Sequence, residues 1–161
     1  MTRVFVTVGT TVFEPLISLI YSLEFQQHLC QKWNISELII QHGRCSLPSD
    51  AHVPTCSYEY KPSLLEDMNH ADIIISHAGT GSILEALELK KLLFVVVNEQ
   101  LMDNHQLEFA KELSDSGYLH MSTLDNFIHE FDLFMQHPPT KPWPKVNTKP
   151  IENLLHNEIL L

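Results

Sequence analysis

The sequence is short of cations and cysteine, and each shortage argues against a class of function. Ten Lys and Arg stand against 20 Asp and Glu, a formal net charge of −10. That balance argues against nucleic acid as the primary partner, because phosphate backbones are held by clustered Lys and Arg. It argues equally against an electrostatic hold on anionic membrane. Any phosphate must then be held by backbone N–H groups and helix ends. Cys30, Cys45 and Cys56 are too few and too irregular for a disulfide framework or a zinc site. They read as reduced thiols in a cytosolic protein. No apolar run approaches the ~20 residues of a membrane-spanning helix. A strand-like run starts at Arg3 and leaves no room for a signal peptide. The expectation is a soluble, cytoplasmic chain, which something else could still recruit to a membrane.

Metal chemistry is equally short of support. The ten histidines lack the paired spacing of a zinc helix, and no Asp-x-Asp pair suits Mg²⁺ on a nucleotide. No metal or cofactor is expected. His28, His52, His120, His129, His137 and His156 are expected at the surface. No Ser-His-Asp or Cys-His order suggests a nucleophilic triad.

What is present is an alternation of strand and helix patterns in 161 residues, a length that suits one domain. Val4–Val8 is a β-branched run that ends in Gly9-Thr10-Thr11. Apolar residues at helical spacing predict a helix over about 13–25. Strands follow at 37–41 and 53–58, and a short helix at 63–70. Ile73-Ile74-Ile75 is apolar at successive positions, the mark of a strand buried on both faces. A helix to about Lys90, a strand at 92–97, a helix at 103–116, a strand at 118–121 and a helix at 124–135 complete the pattern. The expectation is an α/β fold with a doubly wound, Rossmann-like parallel sheet over 1–136. Residues 137–161 are expected as a Pro-rich strap, since proline lacks an N–H and fixes φ, and a helix over about 151–160. Ligands of such sheets bind beyond the carboxyl ends of the strands, where both glycine loops lie.

The strongest segment is Ser76-His77-Ala78-Gly79-Thr80-Gly81-Ser82-Ile83-Leu84-Glu85. Glycines let a ligand approach bare N–H groups. The helix that follows offers unpaired N–H groups and a partial positive charge, a ready anion site. Ser82 and Glu85 share one helix face, and a carboxylate there can accept from two ribose hydroxyls. The plainer alternative is a tight turn with Ser82 as cap and Glu85 in solvent. Gly9, Thr10 and Thr11 form a second donor-rich loop, which lacks the P-loop lysine. In a third segment, Asp103 and Gln106 have capping-box spacing, while Asn104 or Gln106 can instead donate to sugar hydroxyls.

Four motifs in order carry a resemblance: Val6-Thr7-Val8-Gly9-Thr10-Thr11-x-Phe13, Gln41-x-Gly43-Arg44, Ser76-His77-Ala78-Gly79-x-Gly81-Ser82-x-Leu84-Glu85, and Asn98-Glu99-x-Leu101-Met102-x-Asn104-His105-Gln106. Over about residues 3–119 the chain resembles the donor-binding catalytic subunits of the two-subunit UDP-N-acetylglucosamine transferases of the dolichol pathway. These are of the glycosyltransferase family 28 carboxyl-terminal type. The resemblance implies half of a GT-B glycosyltransferase, whose membrane-anchored partner subunit binds the lipid acceptor at the cytosolic face of the endoplasmic reticulum. It implies an inverting reaction that adds a second, β1,4-linked GlcNAc from UDP-GlcNAc to dolichyl-diphosphate-GlcNAc. It implies Glu85 as the ribose ligand and Gly79, Thr80, Gly81 and Ser82, with His77 beside them, as the diphosphate turn. Gly9, Thr10 and Thr11 become the glycine loop over the donor, Gln106 a contact of the donor sugar, and Tyr60 an aromatic near the uracil. The final helix corresponds to a partner-binding element. Arg44 matches without a role, and Cys45 departs from a common glycine. No catalytic residue is assigned in this chain, because the general base is expected from the partner. Rival readings are the donor subunit of a bacterial split glycosyltransferase for surface polysaccharide and a non-catalytic nucleotide-sugar binder.

Overall fold

The computed structural model describes residues 2–99 and 104–145. In chain order the elements are β1 (Thr2–Thr7), α1 (Glu14–Tyr21), α2 (Leu23–Trp33), β2 (Ile35–Gln41), β3 (Thr55–Tyr58) and α3 (Leu65–His70). Then come β4 (Ile73–His77), α4 (Thr80–Glu88), β5 (Leu92–Val97), α5 (Asn104–Asp115), β6 (His120–Thr123) and α6 (Phe127–Gln136). All pairings are parallel, and the strand order is β3-β2-β1-β4-β5-β6. This is the doubly wound sheet that the strand–helix alternation predicts. The order reverses between β1 and β4, so the loops after these two strands diverge and leave a crevice.

The side-chain period of two explains why the central strands are apolar throughout. Val4, Val6, Ile73, Ile75, Phe94 and Val96 enter one core layer with α1, α2 and α6. Phe5, Ile74, Leu93 and Val95 enter the other, against Met68 of α3, Ile83 of α4 and Ala110 of α5. The first layer is rich in phenylalanine. Phe94 of β5 lies 5.3, 5.4 and 5.4 Å from the rings of Phe127, Phe131 and Phe134.

One helix was expected over 13–25, and two are present. The break is at Ser22, whose ψ of 138° is extended. Its hydroxyl accepts from the Phe25 N–H and so caps α2. The largely polar α2 gives a weak helical pattern, yet it buries Phe25, Gln26 and Leu29. The helix expected over 151–160 and the Asp103 cap lie outside the described residues. Residues 137–145 form no helix or strand, and Trp143 of this strap packs edge-on against Tyr118, 5.0 Å between centroids.

Two histidines expected at the surface are half-buried and partnered. His120 pairs with Glu130 at 2.7 Å, and its ring stacks on Phe94. His28 joins α2 to α6 through Asp132, which also accepts from Lys32 at 2.6 Å and Trp33 Nε1 at 2.8 Å. Burial alone would raise the Asp132 carboxyl, but the hydrogen bonds from Lys32, His28 and Trp33 outweigh it and hold the carboxyl below the usual aspartate range. A depressed folded value stabilises the fold above the unfolded pKa of about 3.9, and that contribution is lost as pH falls through the lower folded value. Chemical denaturation between pH 7 and 3 is therefore expected to give Asp132→Asn a shallower acid-side loss of stability than the parent. Equal slopes would show that Asp132 does not couple folding to protons.

Candidate functional site

The site is built where β1 and β4 end side by side, with Thr7 paired to Ser76 in register. Beyond β1 the chain turns through Gly9, whose φ of +61° favours glycine. The buried Gln41 amide at the end of β2 locks that turn. Its oxygen accepts from the Gly9 N–H at 2.9 Å and the Thr7 hydroxyl at 2.6 Å. Its nitrogen donates to the Gly9 carbonyl at 2.7 Å and the Glu59 carbonyl at 2.8 Å. One side chain thus fastens the loops after β1 and β3.

His77 occupies the space between the two glycine loops. A Cβ placed on Gly9 would lie 2.6 Å from its Cε1, and one on Gly79 would lie 2.4 Å from its Nε2. Both residues must therefore be bare for the ring to fit. Burial lowers the imidazole below the usual histidine range, and the backbone of Thr7 pulls weakly the other way. The Nδ1 atom is buried with no hydrogen-bond partner. His77 is thus a neutral wedge at pH 7, placed to hold two loops at a fixed spacing.

Beyond the wedge, α4 begins at Thr80 with Gly79 as its N-cap and no side-chain cap. The first helical bond runs from Ile83 N to Gly79 O. The N–H groups of Thr80, Gly81 and Ser82 precede it, and no acidic residue lies in this turn. Ser82 as a cap is therefore not what the chain adopts. Ile83, Ala86 and Leu87 are buried against the sheet, which turns Ser82 and Glu85 outward. The helix start presents uncapped N–H groups and a partial positive charge to whatever lies above it.

A cleft of about 290 Å³ runs over this surface. Six of the expected residues line it together: Gly9, Thr10, Tyr60, Gly81, Ser82 and Glu85. Gly79 lies below, against His77. Thr80 is exposed at the helix start but outside the lining. Thr11 is outside as well, its hydroxyl donating to Val8 O at 2.7 Å. Gln106 is exposed in the first turn of α5 and does not line the cleft. Asn104 begins that helix, and its side chain is outside the described residues.

The far wall was not anticipated beyond Tyr60. It is Lys61, Pro62, Ser63 and Leu64, with Gln41 at the floor. Buried Asp67 organises this wall by accepting from the Tyr58 hydroxyl and from Lys61 Nζ at 2.8 Å. Lys61 also lies 4.1 Å from the Tyr58 ring centroid. Burial and the Asp67 carboxylate push the Tyr58 phenol up, so it remains a donor. The sequence signal was Lys61 and Asp67 at six-residue spacing across a helix start, a pattern without a characteristic period.

Cys45, the departure from a common glycine, is buried, and its sulfur accepts from the Phe13 N–H at 3.2 Å. Burial raises its thiol, with the Phe13 hydrogen bond acting against it. Among the described residues no group of three or more His, Cys, Asp or Glu could hold a metal ion. No described helix is long and apolar enough to cross a membrane.

Residues 3–141 match the model of the glycosyltransferase family 28 C-terminal domain, beyond the Leu119 limit of the motifs. The chain is 45% identical over 127 residues to the mouse (Mus musculus) UDP-N-acetylglucosamine transferase subunit ALG13. That alignment covers 76% of this chain and 11% of the mouse protein, so the chain spans about a tenth of its relative. The NMR solution structure of ALG13 superposes with a TM-score of 0.69 at 29% identity, covering 96% of this chain and 94% of the other. Acinetobacter baumannii MurG superposes at 0.63 and 19% identity, over 83% of this chain and 40% of its own. That likeness shows the fold alone.

Proposed function

This chain belongs to the glycosyltransferase family 28 C-terminal domain family, and from that premise we propose that it is the UDP-N-acetylglucosamine-binding subunit of a glycosyltransferase. A membrane-anchored partner subunit at the cytosolic face of the endoplasmic reticulum holds the acceptor. The complex adds a second GlcNAc, β1,4-linked with inversion, to dolichyl-diphosphate-GlcNAc. The observation that carries the reading is the convergence of two glycine loops and the uncapped start of α4 on one cleft, with Glu85 further along the same helix face.

Departure of the donor sugar loads negative charge onto the diphosphate of UDP. Donors fixed in place before the reaction stabilise that charge as it develops. Here they are the N–H groups at the start of α4, whose positions do not depend on flexible cations. Neutral His77 sets the spacing of the loops. Glu85 accepts from the ribose hydroxyls about one turn further along, and Tyr60 offers an exposed ring to the base. The acceptor hydroxyl's base comes from the partner.

Glu85→Ala is expected to weaken UDP binding by about 1.5–3 kcal/mol, roughly 10- to 150-fold, the range for hydrogen bonds to a charged group. Calorimetric titration with UDP reads this. Unchanged affinity would remove Glu85 from the site. Co-expression with candidate membrane partners, then transfer from UDP-GlcNAc to a lipid-linked acceptor, tests the whole reading. A complex that binds UDP-GlcNAc and transfers nothing would overturn it.

A further inference from the structure

A second cleft of about 220 Å³ adjoins the first and shares Gly9, Thr10 and Tyr60 with it. Its remaining walls are Gly43, Arg44 and Glu59. The site above uses neither the Arg44 nor the Glu59 side chain.

Their loop is firmly fixed. Gly43, at φ +58°, donates its N–H to Glu59 O at 3.1 Å, and His42 N donates to Tyr58 O at 3.0 Å. Cys45 N closes the turn on His42 O at 3.1 Å, and Ser46 N donates to Glu14 Oε1 at 2.9 Å. The backbone bearing Arg44 therefore has little freedom to move, while its side chain is exposed. Opposite charges facing one cleft usually close into an ion pair. Here neither the Arg44 guanidinium nor the Glu59 carboxylate has a hydrogen-bond or ion-pair partner among the described residues. They flank an open space beside Tyr60, which is 69% exposed.

That combination selects a ligand class. A bare phosphate would meet the Glu59 carboxylate, and an apolar ligand would strand both charges. A neutral polyhydroxylated ring suits all three groups. Guanidinium N–H groups donate to hydroxyl oxygens, and carboxylate oxygens accept from hydroxyls. The electron-rich face of an aromatic ring suits the weakly positive C–H face of a pyranose, and Tyr60 lines both clefts, so its ring serves the pyranose on the face that the base leaves free. We propose that the cleft of Gly43, Arg44, Glu59 and Tyr60 is a saccharide subsite that seats one pyranose ring beside the nucleotide cleft. This rests on the transferase reading and extends it, because such an enzyme handles two sugars, the donor's and the acceptor's.

The probe is methyl β-N-acetylglucosaminide, observed by saturation-transfer NMR on the full chain with saturating UDP. The parent is expected to show saturation transfer to the ring protons. Arg44→Ala and Glu59→Gln are each expected to weaken glycoside binding about fivefold or more, since each removes hydrogen bonds to a charged group. Their UDP affinity is expected to stay at the parent value, which also shows that they fold. A parent that binds UDP but not the glycoside, or variants that bind the glycoside as the parent does, would overturn the subsite and leave the nucleotide site standing. A parent that binds no UDP would remove the nucleotide reading and this one with it. In the reconstituted complex, a rise in KM for the lipid-linked acceptor assigns the ring to the acceptor. A rise in KM for UDP-GlcNAc assigns it to the donor. A change in neither overturns the proposal.

Discussion

Gly9→Ala is expected to cost about 2–5 kcal/mol of stability and most of the nucleotide affinity. Two effects add. Alanine in the left-handed backbone of Gly9 costs about 1–2 kcal/mol. The new Cβ would also press on the His77 ring at 2.6 Å, and overpacking of this kind costs about 1–3 kcal/mol. The ring has little room to retreat, because it sits so near Gly79 that a Cβ there would lie 2.4 Å from Nε2. The two contributions are separable. Gly79 has an ordinary φ of −72°, so Gly79→Ala is expected to show the packing loss without the backbone loss. In a His77→Ala background the clash is absent, so adding Gly9→Ala there should show only the backbone cost, a non-additive outcome for residues in contact. Urea denaturation of Gly9→Ala, Gly79→Ala, His77→Ala, the double variant and the parent, with UDP titration of each, measures this. Simple additivity in the double variant would mean that His77 is not the wedge between the loops.

Much of this was legible in the chain, and the reasons differ from place to place. Ile73-Ile74-Ile75 and Leu93–Val97 declare a two-sided strand because alternate residues serve two cores. Glycines at 9, 79 and 81 mark the turns around His77 and the cleft, and the polar and apolar faces of α4 separate Glu85 from Ile83. The cap at Ser22 was not legible, because a helix restarted one residue after another ends preserves the apolar spacing of both. His28 and His120 were misplaced for a related reason. Their burial depends on Asp132 and Glu130, more than 100 and 10 residues away in the chain, a separation that local pattern does not encode. Gln41 was visible as part of a motif. Its role as the clasp of two loops needed three-dimensional geometry, as did the Lys61–Asp67 wall of the cleft.

Phe94→Ala is expected to be the most destabilising change away from the binding rim, by about 3–5 kcal/mol. Phe94 is fully buried and touches the rings of Phe127, Phe131 and Phe134, all on α6. Its removal leaves a cavity that β5 cannot close, because the strand is fixed between β4 and β6. At roughly 2–4 °C per kcal/mol for a chain of this size, Tm should fall by about 6–20 °C. Phe94→Leu keeps much of the volume and should lose far less. UDP affinity of the folded fraction should be unchanged, since Phe94 lies in the core layer and does not line the cleft. A loss below about 1 kcal/mol in calorimetric melting would show that the cluster collapses around the gap, contrary to a close-packed core.

The chain has two tryptophans, and the sheet divides them. Trp33 packs with the phenylalanine layer, and Trp143 packs on the opposite layer beside Tyr118. Neither lines the cleft over the start of α4. Intrinsic fluorescence therefore carries two separate optical signals, one from each side of the molecule. Replacing either indole by phenylalanine isolates the other, so that the melting of the two layers can be followed independently in the same protein.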